Sequence, residues 1–145
     1  MFKLISIDPG KCKCGLVLVD MPKKKVDQAI VLNTEFLPNY VKTLNINENI
    51  SKVIIGNGTT SRQNIEKLDF IRNDLIIVEE KNTTFRAKKR YFELFPIRGL
   101  KTFLPKEIFI MNKNLDAVSA LIILEDYFNH KFTLPEHIDI KTWLK

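Results

Sequence analysis

The sequence predicts an α/β protein with a mixed β-sheet and helices packed on its faces. Three short segments with strand character come first, and strand and helix patterns alternate after them. Strands joined by a short turn pair antiparallel, whereas strands separated by a helix pair parallel, so this order combines both kinds of pairing. A chain of 145 residues is long enough for one such domain. We therefore predict a single domain spanning residues 1–145.

Short apolar, β-branched segments predict the first three strands. Residues 4–8 form such a segment and end at Asp-Pro-Gly, which is a turn signal. Residues 15–20 and 26–32 follow the same pattern. The charged turn at residues 23–25 is short, so we expect the second and third strands to run antiparallel.

Helical and strand patterns alternate in the rest of the chain. Residues 35–47 place Phe36, Tyr40, Val41 and Leu44 on one helical face. The apolar segments that we predict as buried strands are residues 53–56 and 75–78. Further helices are predicted over residues 60–72, 83–95 and 115–128, with Thr83 or Thr84 and Asn114 as caps of the last two, an irregular stretch at 97–111 and a surface tail from residue 131.

The positive charge is concentrated in one segment. The formal net charge of the chain is +6, and residues 81–101 hold seven basic residues against one acidic residue, Glu93. The rest of the chain is therefore balanced. A cationic segment is typical of a surface that binds a polyanion such as nucleic acid, although a solvated helix face has the same composition.

The spacing of the cysteines and the length of the apolar runs predict the cellular compartment of the protein. Cys12 and Cys14 lie too close in sequence for an unstrained disulfide, and no second Cys pair completes a metal site. We interpret both as reduced thiols, as in proteins of the cell interior. The apolar runs are too short for a signal peptide or a membrane span, so we expect a cytoplasmic protein with no membrane partner.

Acidic residues stand at three places from which their side chains could meet. Asp8 ends the first strand, Glu79 and Glu80 end a later buried strand, and Asp116 lies in the first turn of the last long helix. Neighbouring side chains of a strand point to opposite faces, so at most one of the two glutamates can join Asp8.

Each acid also has a purely structural explanation, but together they suggest a metal site. The small side chains of Ala117 and Ala120 would let the last helix bring Asp116 to the strand ends. Three acids that meet there would repel one another, and a divalent cation would relieve that repulsion. Oxygen ligands favour Mg²⁺ or Mn²⁺ over Zn²⁺. Two such ions can activate a water and stabilise the leaving oxygen of a phosphodiester.

Four blocks of sequence, in this order, carry a family resemblance. They are ISIDPGKCKCG at residues 5–15, VIIGNGTT at 53–60, VEEKNTT at 78–84 and LDAVSA at 115–120. From about residue 2 to residue 128 the chain resembles the YqgF family, also called RuvX. That family belongs to the RNase H-like superfamily, which includes the RuvC Holliday junction resolvases. The third block is the most specific of the four.

The resemblance implies a fold, a triad and an activity. It implies an RNase H-like fold, in which three antiparallel and then two parallel strands form a five-stranded mixed sheet with helices on both faces. It implies that Asp8, Glu80 and Asp116 match the acidic triad of the family, as catalytic residues and metal ligands. It also implies a nuclease that processes the 5′ end of precursor 16S ribosomal RNA in ribosome maturation. Family members often have Asp where Glu79 stands.

Basic and hydroxyl side chains around these acids are expected to contact nucleic acid. They are Lys11, Lys13, Thr59, Arg62, Lys81, Arg86, Lys89 and Arg90. Thr59 belongs to a loop at residues 56–60 that could place backbone N–H groups near a phosphate. The last three of these residues share one face of a predicted helix. Family members often have Arg where Lys13 or Lys81 stands, and Lys keeps the charge but loses the bidentate phosphate geometry.

Two other functions remain open. A DNA junction resolvase would share the fold and the acids, and it would work as a dimer. The residues do not distinguish RNA from structured DNA, or a monomer from a homodimer. The GNGT block also resembles the YqgF-like domain of the transcription accessory protein Tex, which looks like a binding module without a full triad. A non-catalytic nucleic-acid-binding domain is therefore the third reading.

Overall fold

Five strands form one mixed sheet in the part of the chain that the computed structural model describes, residues 2–59, 61–136 and 140–144. The strands are β1 (Lys3–Asp8), β2 (Lys13–Asp20), β3 (Lys25–Asn33), β4 (Ile50–Gly56) and β5 (Leu75–Val78). Their order across the sheet is β3-β2-β1-β4-β5. Strand β2 pairs antiparallel with β1 and β3, whereas β4 pairs parallel with β1 and β5. The predicted mixed sheet, antiparallel first and parallel afterwards, is confirmed.

Helices connect and cover these strands. They are α1 (Leu37–Asn47), α2 (Ser61–Lys67), α3 (Thr83–Leu94), α4 (Lys106–Ile110), α5 (Asp116–Phe128) and α6 (Ile140–Trp143). Short 3-10 turns lie at Thr34–Phe36, Asp69–Asp74 and Gly99–Phe103. No helix in the described ranges is both long and apolar enough to cross a membrane.

The strands contribute alternate side chains to two cores, one on each face of the sheet. Leu4 of β1 packs in the core that contains the apolar residues of α5 and, from α3, Ala87. Ile5 and Ile7 point the other way and pack with Val41 of α1. This alternation follows from the two-residue repeat of a strand. The prediction of helices on both faces is confirmed.

Helix α5 begins close to the sheet because its first turns carry small side chains. Ala117 and Ala120 have no exposed surface. The hydroxyl of Ser6 on β1 donates a hydrogen bond to the carbonyl of Ala120 at 2.7 Å. The side chain of Asn114 accepts a hydrogen bond of 2.9 Å from the backbone N–H of Asp116. The predicted close approach is confirmed, whereas the N-cap position is held by Leu115 and not, as predicted, by Asn114.

The helix predicted over residues 60–72 is shorter than expected. Helix α2 ends at Lys67, and the 3-10 turn that follows holds Ile71 in a non-helical conformation. Leu68 and Ile71 are both buried. The break therefore turns the chain so that both side chains reach the core before β5 begins. Thr60, which the sequence places in the candidate phosphate loop, lies outside the described residues.

The chain after α5 belongs to the core, so the prediction of a surface tail is wrong for its described part. Phe132 is 2% exposed and Trp143 is 1% exposed. Thr133 forms a parallel bridge with Lys25 at the start of β3. The Trp143 ring packs edge-on against Phe95, with 5.7 Å between ring centroids. Two large aromatic side chains thus extend the core on the α5 face of the sheet.

Candidate active site

The start of α5 brings Asp116 close to Asp8 of β1 because the residue paired with Asp8 on β2 is a glycine. Asp8 ends β1 on the same face as Ser6, which is the face that α5 covers. Its antiparallel partner on β2 is Gly15. A Cβ atom at Gly15 would overlap the backbone carbonyl of Asp116 and the N–H of Ala117. The missing side chain therefore admits the first turn of α5 onto the sheet beside Asp8.

Glu80 reaches the same place from the parallel half of the sheet. Val78 at the end of β5 pairs with Gly56, and the preceding residue of β4, Ile55, pairs with Ile7 of β1. Val78 packs toward the α5 face, and Glu80 follows it by two residues. The Glu80 carboxylate lies directly over Gly56, where a Cβ atom would collide with it. Because Gly56 has no side chain, the Glu80 side chain can pass over the end of β4 toward Asp8.

Glu79 does not join this group. Its carboxylate accepts a hydrogen bond of 3.0 Å from the side-chain amide of Asn57, and its side chain is exposed. The alternation of side chains at the strand end explains the difference between Glu79 and Glu80. We therefore assign Glu79 a role in fixing the loop after β4.

Burial and the charges of two neighbouring acids both act on the carboxyl group of Asp8. Burial raises the pKa of Asp8 to about 8, and the negative charges of Glu80 and Asp116 add to the rise. A hydrogen bond with the Ser119 side chain acts in the opposite direction. A carboxyl group with such a pKa is largely protonated at neutral pH unless a cation compensates its charge.

The pKa values of the other two acids are raised for the same main reason. Burial raises the pKa of Glu80. Burial also raises the pKa of Asp116, while the hydrogen bond with Asn114 and the positive charge of Lys13 lower it. All three carboxyl groups are thus held in an environment that disfavours their charged form.

The donor set fits a divalent cation, although the side chains do not form a finished coordination shell. Oxygen Oε1 of Glu80 is buried and has no hydrogen-bond partner among the described residues. Such an acceptor destabilises the protein unless a donor or a cation reaches it. Within the described residues, no three His, Cys, Asp or Glu side chains come close enough, as they stand, to hold one metal ion. The three acids therefore have to rotate onto a shared point to bind a cation.

The expected nucleic-acid contacts divide into two groups. The residues of the first group have exposed side chains. They are Lys11, Lys13, Thr59, Arg62, Lys81 and Lys89. Of these, Lys13 is close enough to Asp116 to lower its pKa. Arg62 forms an ion pair with Glu66 at 3.5 Å on the exposed surface of α2. Contact between this group and nucleic acid stays a prediction.

Arg86 and Arg90 form the second group, because both are engaged within the protein. Arg86 makes a bidentate contact with Asp126 of α5 at 2.6 and 2.7 Å. Arg90 contacts Glu125 at 2.6 and 3.0 Å and donates to the carbonyl of Phe132 at 3.1 Å. These arginines hold α3 against α5, so we no longer propose them as phosphate contacts.

Sequence reasoning missed three residues that shape the site. Ser119 follows Asp116 by three residues, which places both on one face of α5 and signals their proximity. Thr34 fixes the turn after Asp8 by donating a hydrogen bond of 2.9 Å from its hydroxyl to the carbonyl of Gly10. Gly15 gave no local signal, because its role depends on how α5 crosses β2.

Comparisons with known proteins support the fold. No protein-family model matches the sequence, and no curated protein matches it either. Among solved structures, the chain is similar to T. thermophilus RuvC in complex with Holliday junction substrate, with a TM-score of 0.53 and 11% identity over 89% of this chain and 96% of that one. The chain therefore has the RNase H-like α/β fold of RuvC.

Two further solved structures resemble the chain less closely. A second Thermus thermophilus RuvC structure aligns over 97% of this chain and 87% of that one, with 11% identity and a TM-score of 0.44. The Ppx/GppA phosphatase of Aquifex aeolicus aligns over 68% of this chain and 43% of that one, with 11% identity and a TM-score of 0.39.

Proposed function

We propose that this protein is a metal-dependent nuclease whose acidic residues are Asp8, Glu80 and Asp116. The observations that carry the proposal are that the charges of Glu80, just after β5, and of Asp116, at the start of α5, both act on the buried carboxyl group of Asp8, and that Oε1 of Glu80 is buried with no hydrogen-bond partner in the described part of the chain. Like charges that are buried near one another destabilise the folded state, so a contribution to stability does not explain this cluster.

The three acids would hold Mg²⁺ or Mn²⁺, and we propose two ions. When bound, the ions supply an activated water and neutralise charge on the leaving oxygen. Asp8 feels the charges of both other acids and would be a ligand of the cations. Glu80 and Asp116 would complete the ligand set. Lys13, beside Asp116, is placed to hold a backbone phosphate at the edge of the acids.

RNA is the substrate that we propose first, specifically the 5′ end of precursor 16S ribosomal RNA. The support is the resemblance of four sequence blocks to the YqgF family. A second candidate is a DNA junction, because the solved structure with a TM-score of 0.53 is a RuvC bound to a Holliday junction. Cys12 and Cys14 are both free, which agrees with our proposal of a cytoplasmic protein. A monomer and a homodimer are both compatible with the proposal.

A cleavage panel tests the activity. The purified protein is incubated with labelled precursor rRNA, single-stranded RNA and a four-way DNA junction, each with Mn²⁺ and each with a chelator. We expect cleavage only with Mn²⁺, and preferentially of precursor rRNA. Cleavage of the junction alone, by a protein that is dimeric in solution, would favour the resolvase. Metal-independent binding with no cleavage of any substrate would leave only a binding module.

Replacing Gly56 with Ala tests how Glu80 is placed. The added Cβ atom would collide with the Glu80 carboxylate, and the flexible side chain would swing away from Asp8. Because misplacing a catalytic group by about 1 Å can cost roughly a hundredfold in rate, we expect a loss of that order with the fold retained. The measurement is the single-turnover cleavage rate with Mn²⁺.

Gly58→Ala is the matched control for this experiment. Its Cβ atom would lie 3.3 Å from the Glu80 carboxylate, so a shift of a few tenths of an ångström accommodates it. We expect a loss of less than about tenfold. Equal rates for both variants and the unchanged protein would show that the glycine does not position Glu80.

A further inference from the structure

A trough beside helix α3 leads away from the acidic residues. Two cavities of about 460 and 450 Å³ lie along α3, and Lys88 lines both of them. The first cavity includes Asp116 and Ser119, so it opens onto the acidic site. The second continues between α3 and α4. We call these two cavities, which share Lys88, the α3 trough. The lining residues on which the argument depends are Thr84, Lys88, Phe92 and Glu93 of α3, Lys106, Glu107 and Ile110 of α4, and Lys113.

Lysines outnumber acidic residues in the lining of the α3 trough, and one of the acids, Glu93, is already paired with Arg90 and Lys131. Lys88 and Lys89 project from α3, and in the described part of the chain no salt bridge engages either of them, in contrast to the arginines of the same helix. Lys113 donates a hydrogen bond of 3.1 Å to the hydroxyl of Tyr91 and lies 5.4 Å from the centre of its ring. The aromatic contact holds this ammonium group at the trough. Such an arrangement suits a chain of phosphates.

Apolar side chains accompany these cations. The Phe92 ring lies in the trough, with the ammonium group of Lys106 at 5.6 Å from its centre. The 3-10 turn Gly99–Phe103, which precedes α4 in the chain, leaves Leu100 and Phe103 almost fully exposed, at 86% and 85%. Exposed aromatic and aliphatic groups among cations match a nucleic-acid strand whose bases are unpaired, because bases in a duplex already stack on one another.

We propose that the α3 trough binds an unpaired strand of nucleic acid next to the acidic site, with Lys88 and Lys113 on its phosphates and Phe103 on a base. This proposal rests on the proposed nuclease function for its orientation, and it narrows the substrate class to a single strand or a single-stranded end. A continuous duplex leaves the apolar part of this surface without a partner.

Binding measured in a chelator tests the trough separately from cleavage. The full chain is titrated into a labelled single-stranded RNA and into the same RNA annealed to its complement. We expect at least about tenfold tighter binding to the unpaired strand. Lys88→Ala and Phe103→Ala should each weaken that binding by about five- to tenfold, and Lys88→Ala should lower the salt slope by about 0.7.

Lys42→Ala is the control, because Lys42 is exposed on α1 across the sheet; its binding should be unchanged. Equal affinity for duplex and single strand, or unchanged binding by both Lys88→Ala and Phe103→Ala, would overturn the proposal. So would a change in oligomeric state of Phe103→Ala with binding intact, since that result marks a protein interface. Selective binding without cleavage would support the strand-binding role of the α3 trough and contradict the proposed nuclease activity. Cleavage without selective binding would support the nuclease activity and contradict the role of the trough.

Discussion

Replacing Asp8 with Asn should abolish metal-dependent cleavage, with a loss of roughly a thousandfold or more. Asn keeps the size of Asp8 and its capacity to bond with Ser119, but it removes the charge that lies between Glu80 and Asp116. The fold should therefore survive. The measurement is the single-turnover rate with Mn²⁺, together with a circular dichroism spectrum that confirms folding. Full activity in a pure sample would exclude Asp8 from the reaction.

The same variant carries a prediction about stability and pH. The pKa of Asp8 is about 8 in the folded protein and about 4 in an unfolded chain. The folded state therefore binds the proton more tightly, and this contribution to stability is complete below about pH 4 and disappears as the pH rises through about 8. In chelator, Asp8→Asn should be more stable than the unchanged protein at pH 8, and the difference should shrink toward pH 5.

Urea unfolding at several pH values measures this effect. Asp69→Asn is the control, because its side chain is 73% exposed and lies far along the chain in the turn after α2; its stability difference should stay nearly constant with pH. A variant Asp8→Asn that is less stable at pH 8 would show that burial and the neighbouring acids do not disfavour the charged form of Asp8.

Gly15→Ala should strongly destabilise the protein. The added Cβ atom would overlap backbone atoms of Asp116 and Ala117, and backbone in a packed helix cannot rotate away as a side chain can. Helix α5 is buried from Ala117 to Glu125, so displacing its start disturbs the core. We expect a loss of about 3 kcal/mol or more in the free energy of unfolding.

Urea unfolding of Gly15→Ala, compared with Gly58→Ala, measures this loss. The Gly58 variant meets only the flexible end of Glu80 at 3.3 Å, and we expect it to lose less than about 1 kcal/mol. If Gly15→Ala were as stable as the unchanged protein, this result would show that the first turn of α5 does not pack against β2 at Gly15.

Much of the sheet could be predicted from the sequence because its signals are local. The turn at Asp-Pro-Gly and the short charged turn between β2 and β3 set the antiparallel pairing, and the intervening helices set the parallel pairing. The end of the chain was not predictable in this way. Phe132 and Trp143 lie in polar surroundings in the sequence, and only the tertiary structure shows the core that they complete.

The proximity of Asp8, Glu80 and Asp116 could be predicted from the sequence, but the geometry that produces it could not. Strand alternation separates Glu80 from Glu79 once the face of Val78 is known, and small residues indicated the approach of α5. The roles of Gly15 and Gly56 depend on elements that cross them, and no sequence pattern encodes that crossing. The same holds for Arg86 and Arg90, whose partners on α5 became visible only when the two helices were packed together.

Calorimetric titration of the metal-free protein with Mn²⁺ at neutral pH tests the central claim most directly. If the three carboxyl groups form one cation site, the protein should bind Mn²⁺ saturably and release protons, because Asp8 must lose its proton to become a ligand. The Asp8→Asn variant should show neither effect. A flat titration of the unchanged protein, or equal binding by the variant, would contradict the account.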